Sequence, residues 1–151
     1  MTQKLTKVIE RNIKNTPRKG YVKALRINVG SITQRLKSKI KALNLNVYVT
    51  TKSLKHMYDQ RSAQEFDFII SSLEKVISQP HIIYKNKSGK TGDFCFYYES
   101  QSNYYFYVFE INEHGVYLVS AYRLSSLEEK RKNYLDSYKL LWSWKVDLPS
   151  S

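Results

Sequence analysis

Polar and apolar positions in this chain follow two rhythms, and the change between them falls near residue 81. Before it, apolar residues recur mainly at helical spacing. Phe66, Ile69, Ile70, Leu73, Val76 and Ile77 make one stripe between Ser62 and Pro80, as a helix buried along one side requires. Ser62 and Glu65 have the spacing of a capping box, in which each side chain satisfies an open backbone N–H at the helix start. Ile32, Leu36, Ile40 and Leu43 predict another helix, with Ser31 as its N-cap and Arg35, Lys37, Lys39 and Lys41 on its other face. A short helix is expected over residues 52–60, with Leu54, Met57, Tyr58 and Arg61 on one side. Residues 21–29 and 45–49 alternate instead, through Leu25, Ile27, Val29 and through Leu45, Val47, Val49, and read as strands. Leu5, Val8, Ile9 and Ile13 have helical spacing, but Thr16-Pro17-Arg18-Lys19-Gly20 breaks it, so residues 1–20 are expected to form a basic arm.

Beyond residue 81 the period becomes two. Residues 81–86, 93–99, 104–111 and 116–123 read as strands separated by turn-forming residues. Such short links favour an antiparallel meander. Ser125 and Glu128 form a second capping box, and Leu127, Arg131, Tyr134, Tyr138 and Leu141 predict a closing helix. The expected fold class is therefore α+β, with N-terminal helices packed on an antiparallel meander of four or more strands and a C-terminal helix closing it. Residues 21–145 form a single domain in this reading, and residues 146–151 a tail.

Composition agrees with one domain: 151 residues, 42% hydrophobic and 14% aromatic, are enough for a single core. The apolar runs are too short to span a bilayer, the charged start lacks the apolar stretch of a secretory signal, and Cys95 is alone. A reducing, cytoplasmic setting is expected. Charge changes the picture more. The net charge is +12, and residues 1–55 hold fourteen Lys and Arg against the single acid Glu10, while the rest holds eleven against twelve acids. A field so segregated attracts polyanions. Nucleic acid is the leading partner, with Arg35, Lys37, Lys39, Lys41, Lys52 and Lys55 as candidate contacts; an acidic protein or an anionic membrane follows.

Several chemical signals fail. Ser88-Gly89-Lys90-Thr91 resembles the end of a phosphate-binding loop, but Tyr84 stands where its first glycine belongs and a strand follows. His56, His81 and His114 lack ligand partners at metal spacing, so no metal site is expected. His56 is the best candidate for proton transfer: it shares a helix face with Lys52 and Asp59 or Gln60, away from the Leu54-Met57-Tyr58 stripe. An ordinary exposed histidine fits that pattern too. Thirteen tyrosines exceed what a core this size accommodates, since each buried hydroxyl needs a partner, so some are expected on a wet face where they could stack on bases. Ser120 and Tyr122 place two hydroxyls on one side of the last strand, either as its frayed end or as a rim able to hold a phosphate or a proton in transit.

The series running from Val49 through the His56 helix and Arg61, the helix to Ile77, Gln79-Pro80-His81-Ile82-Ile83-Tyr84-Lys85, two aromatic strands and Tyr117-Leu118-Val119-Ser120-Ala121-Tyr122 resembles the barnase–EndoU–colicin–RelE-like nucleases, particularly their phage and mobile-element branch. The resemblance implies metal-independent RNA cleavage, with no cofactor: RNA supplies its own 2′-hydroxyl nucleophile. It implies His56 as base or acid, Arg61 and Lys85 as the phosphate clamp, and Ser120 with Tyr122 as positioning hydroxyls. The first expectation is an endoribonuclease, of toxin type where an acidic antitoxin or immunity-type protein restrains it. A non-catalytic nucleic-acid-binding domain and an adaptor for an acidic protein are the others.

The charge pattern makes one prediction by itself. Neutralising Arg35, Lys37, Lys39 and Lys41 together should weaken RNA binding and flatten its salt dependence, by roughly 0.7 to 0.9 in log–log slope for each phosphate left unneutralised. A titration against salt concentration checks this, and an unchanged slope places the RNA on other residues.

Overall fold

A computed structural model of the chain describes residues 3–87, 89, 92–124 and 134–143. The alternating half forms β3 (Ile82–Lys85), β4 (Phe94–Ser100), β5 (Asn103–Asn112) and β6 (Gly115–Arg123), each antiparallel to the next. The expected meander is present, and the sheet extends beyond it on both sides. The antiparallel pair of β1 (Arg26–Ser31) and β2 (Asn46–Thr50), joined through a helix, adds to β6, and β7 (Lys139–Ser143) joins β3, giving seven strands in the order β1-β2-β6-β5-β4-β3-β7. All pairings are antiparallel except β2 with β6, where Val47, Tyr48 and Val49 lie beside Val116, Tyr117 and Leu118. Gly115 permits this start: its φ is +146°, and a Cβ there would lie 2.7 Å from the Asn46 carbonyl oxygen.

The helical half supplies α1 (Gln3–Val8), a π-helical turn (Ile9–Ile13), α2 (Gln34–Ile40), α3 (Thr51–Gln60) and α4 (Ala63–Ser78). All six residues of the expected α4 stripe are buried. Ser62 caps that helix, its hydroxyl accepting the Glu65 N–H at 3.1 Å, while the Glu65 carboxylate turns to Arg61 instead of back to Ser62. Thr33, not Ser31, caps α2, accepting from the Leu36 N–H at 3.2 Å. Thr50 caps α3 in the same way through Ser53.

Three expectations change. Residues 3–13 are not pendant: Leu5, Ile9 and Ile13 are buried in the main core, so the start of the expected arm is part of the body. The first strand begins at Arg26 instead of residue 21, because buried Thr51 engages the preceding backbone, donating to the Lys23 carbonyl at 2.6 Å and accepting from the Leu25 N–H at 3.0 Å. Most of the expected closing helix, residues 125–133, lies outside the described residues; residues 134–136 are helical as expected, but from Lys139 the chain forms β7 instead of continuing as helix. Tyr134, Tyr138 and Leu141 do have helical spacing, but without β7 the backbone of β3 would be an unpaired edge, and pairing there outweighs local preference. The capping box at 125–128, most of the turn at 88–91 and the tail lie outside the described residues.

The helices cover one face of the sheet, where Ile27, Val47, Leu118, Phe109 and Phe96 pack with Leu36, Leu54, Met57, Phe66 and Leu73. Tyr107 sits on that face, and its buried hydroxyl donates to the Ile69 carbonyl at 2.9 Å. On the second face Tyr84, Cys95, Tyr97, Phe106 and Val108 pack under Leu124 and Leu135. Burial pushes the Cys95 thiol up to about 12, so it stays protonated. Among the described residues, no helix is long and apolar enough to cross a membrane.

Leu73 is only 1% exposed. Leu73→Ala should cost about 2 to 5 kcal/mol through lost transfer energy and the cavity left behind. Urea unfolding should show this as a lower midpoint at constant m, and a loss under about 0.5 kcal/mol would contradict the packing described.

Candidate active site

Strand β6 is longer than its neighbour β2. Their pairing stops at Val49 beside Leu118, while β6 continues to Arg123. The chain leaves β2 at Thr50 and turns directly into α3, so this helix meets β6 where the sheet leaves off. Arg61 follows α3 as its C-cap. Its Nε donates to the Ala121 carbonyl at 3.0 Å and lies 3.4 Å from the Glu65 carboxylate. Arg61 is thereby fixed at the residue between Ser120 and Tyr122. A guanidinium carries five N–H donors, so one anchoring bond does not exhaust it.

Ser120 and Tyr122 point to the second face, because they lie opposite Val108 and Phe106, whose side chains do. A bulge in β6 between these pairs and Leu118 inserts Val119, and both Val119 and Ser120 line a cavity of about 260 Å³. Asn86, Val108, Tyr122, Tyr134 and Tyr138 complete it. The three tyrosine hydroxyls form a chain, Tyr122 to Tyr134 at 2.8 Å and Tyr134 to Tyr138 at 2.9 Å. Burial, then the hydrogen bond and charge interaction with Tyr134, push Tyr122 and Tyr138 well above the ordinary phenol range. They remain neutral, able to donate and accept but not to act as bases at neutral pH. Lys87 supplies a positive charge, its Nζ lying 4.6 Å from the Tyr138 ring centre and 5.4 Å from that of Tyr134.

The candidate residues are therefore only partly brought together. Ser120 and Tyr122 share the cavity, whereas Arg61 is tied to the backbone carbonyl between them and lines a separate hollow with Arg18, Tyr58 and Asp59. His56 is exposed on α3, five residues before Arg61, which is about 7.5 Å along a helix axis; it does not line the cavity. Lys85 is displaced. It pairs with Phe94, Phe94 with Phe109, and Phe109 with Leu118, so it belongs to the helix-covered face, three strand spacings (about 14 Å) from β6. The lysine that does approach the cavity's tyrosines is Lys87, over the rings of Tyr134 and Tyr138. Alternation continued from Lys85 would have put both lysines on one face, but β3 ends at Lys85 and the following turn redirects Lys87. Tyr134 and Tyr138 were visible only as a helical stripe.

The basic contacts also divide. Arg35, Lys39, Lys41 and Lys52 are exposed and Lys37 is half-buried. Lys55 faces inward, 6% exposed in its side chain, and is paired with Asp59, itself 8% exposed. The Lys55 ammonium also donates to the Thr16 carbonyl at 3.3 Å, and the Lys19 N–H donates to Asp59 at 2.9 Å. This cluster clasps the 16–19 turn to α3, so Lys55 is occupied in holding the chain together.

Two comparisons find nothing: no curated protein and no solved structure matches the chain. A third finds that residues 22–133 match a family model described as phage-Barnase-EndoU-ColicinE5/D-RelE like nuclease. The matched span includes α3, α4, the meander and Lys87, and stops just before Tyr134 and Tyr138.

The clasp predicts a pH dependence. Burial raises the Asp59 carboxyl pKa, but hydrogen bonds from Lys55 and Lys19 and the charges of Lys55 and Arg18 outweigh it, and the net value lies below the usual carboxylate range. A depressed carboxylate stabilises the fold above its unfolded pKa, about 3.9, and ceases to as pH falls through the folded value. Asp59→Asn, which strands the Lys55 charge, should cost about 3 to 5 kcal/mol at neutral pH. In urea unfolding across pH, the gap to the unmodified protein should be constant above about pH 5 and narrow below about pH 4.

Proposed function

The chain belongs to this phage-type barnase–EndoU–colicin–RelE-like nuclease family, and from that premise we propose that it is a metal-independent endoribonuclease acting at the β6 edge. The observation that carries this reading is the Arg61 bond to the carbonyl between Ser120 and Tyr122, which gathers a fixed cation and two hydroxyls at one strand segment beside the His56 helix. In the reaction, the ribose 2′-oxygen attacks the adjacent phosphorus, an O2′–P bond forms and the P–O5′ bond breaks. A base accepts the 2′-hydroxyl proton, an acid protonates the leaving 5′ oxygen, and cations stabilise the phosphorane between. His56 is the base or acid, since Tyr122 and Tyr138, raised well above the ordinary phenol range, cannot serve as the base at neutral pH. Arg61 and Lys87 stabilise the phosphorane, and Ser120 and Tyr122 position it. The basic first third of the chain suits an acidic inhibitor protein as a partner.

One observation favours a second reading, a non-catalytic RNA-binding domain: the side chains that line the cavity are hydroxyls, an amide and valines, with no histidine or carboxylate among them. Incubation of RNA with the protein in EDTA separates the two. The nuclease reading expects cleavage of RNA but not DNA, reduced about a hundredfold or more in His56→Ala, with stability changed by no more than about 0.5 kcal/mol because His56 is exposed. Efficient DNA cleavage, a metal requirement, or full activity in His56→Ala would refute it. Intact RNA with tight, salt-sensitive binding would establish the binding domain instead.

A further inference from the structure

The second face of the sheet is covered over β3, β4 and β5 but changes character toward β1. Asn28, Tyr48, Tyr117 and Glu110 form a row of directly opposed residues across β1, β2, β6 and β5. The ring centres of Tyr48 and Tyr117 are 5.3 Å apart. Arg26 lies across both, its guanidinium carbon 4.5 Å from the Tyr48 ring centre and its Nη1 donating to the Tyr117 hydroxyl at 3.2 Å. Both tyrosines are only half-buried, and neither belongs to either core cluster, while Arg26 is exposed. Two large rings with a guanidinium laid over them thus stand with no core packed against them among the described residues. If they served only to brace neighbouring strands, a layer over the rings would be expected, as Leu124 and Leu135 provide farther along the same face.

We infer that Arg26, Tyr48 and Tyr117 are a stacking platform for unpaired bases, and that the nucleic acid taken is single-stranded RNA. The inference rests on the nuclease reading for its substrate class and adds where and how the substrate lies. Aromatic rings and guanidinium planes are the surfaces on which proteins hold splayed-out bases, because every base has a π-face. A duplex, whose bases are already stacked, gains nothing from them. Arg26 adds positive charge for the backbone. Tyr117 and Ser120 are on the same strand, about 10 Å apart at about 3.3 Å per residue, so an RNA strand laid along β6 crosses the platform and then the hydroxyl cavity.

The test uses the full chain and a short 2′-O-methyl RNA oligomer, which lacks the free 2′-hydroxyl and stays uncut, with an abasic oligomer of equal charge beside it; affinity is read by fluorescence anisotropy. The unmodified protein should prefer the base-bearing oligomer by about fivefold or more, the lower end of one stacked base. Tyr48→Ala and Tyr117→Ala should each remove most of that preference and leave abasic binding unchanged. Tyr117→Phe, which keeps the ring, should retain it. Arg26→Ala should flatten the salt slope by about 0.7. Equal affinity of the unmodified protein for the two oligomers overturns the platform whatever the variants do, as does tighter binding of duplex RNA. Equally tight binding of polyglutamate assigns the surface to an acidic protein and also overturns it. A platform that binds as described in a protein that cuts no RNA refutes the nuclease reading alone, whereas cleavage without base preference refutes the platform alone.

Discussion

A backbone carbonyl needs a partner, and at Ala121 β6 has outrun β2. Buried main-chain groups left unpaired are costly, so such a strand edge must be covered. Arg61 meets that need, and much of the local arrangement follows. α3 must run back from Thr50 toward β6, its end must fall where Arg61 can reach, and Glu65 in the first turn of α4 is drawn to the same guanidinium. The bond fixes the His56 helix to the strand carrying Ser120 and Tyr122. Under the proposed function, the cation placed there for structural reasons is also the one offered to the phosphate.

Alternation along β6 then sorts its side chains. Leu118 and Ala121 enter the helix-covered core, whereas Tyr117, Ser120 and Tyr122 reach the second face, and the bulge at Val119 keeps that division while shifting the phase. Without the bulge, strict alternation from Tyr117 would have turned Ser120 and Tyr122 into the core. A single inserted residue thus decides whether the hydroxyls stand at the cavity, an effect of the two-residue side-chain period.

The parts legible in the sequence were those in which neighbouring residues decide. The α4 stripe from Phe66 to Ile77 and the four strands of the meander depend on local periodicity and short turns, and both are found. The pairing of Ser120 with Tyr122 on one side survived because the bulge precedes both. What was not legible depends on distant partners. The parallel join of β2 to β6 and the strand at 139–143 answer to the needs of β6 and β3, and nothing near residues 46–50 or 139–143 announces them. Lys85 lies away from the cavity and Lys87 beside two of its tyrosines because the end of a strand, uncertain by a residue or two from sequence, determines the direction of every side chain after it. Lys55 could not be recognised as buried, since the carboxylate that makes burial tolerable, Asp59, is useful only once the 16–19 turn is folded against it.

The same folding redistributes charge that looked segregated. Residues 1–55 contain one acid, yet their lysines find others: Lys55 pairs with Asp59, and Lys14, 3.6 Å from Asp67, also pairs with Glu10 at 3.4 Å. Two acids from the nearly neutral remainder are thus used against the basic segment, and the positive field a polyanion meets is smaller than the count suggests. The charge still facing outward includes Arg35, Lys39 and Lys41 at α2 and Lys4, Lys7 and Arg11 along a groove at α1, with Arg18, Lys19, Lys23, Arg26 and Lys52 exposed as well. Neither element contributes to the hydroxyl cavity. Under the proposed function, general attraction for RNA and the choice of the bond to be cut therefore rest on different residues: the first is sensitive to salt, and the second depends on the few groups that Arg61 holds at β6.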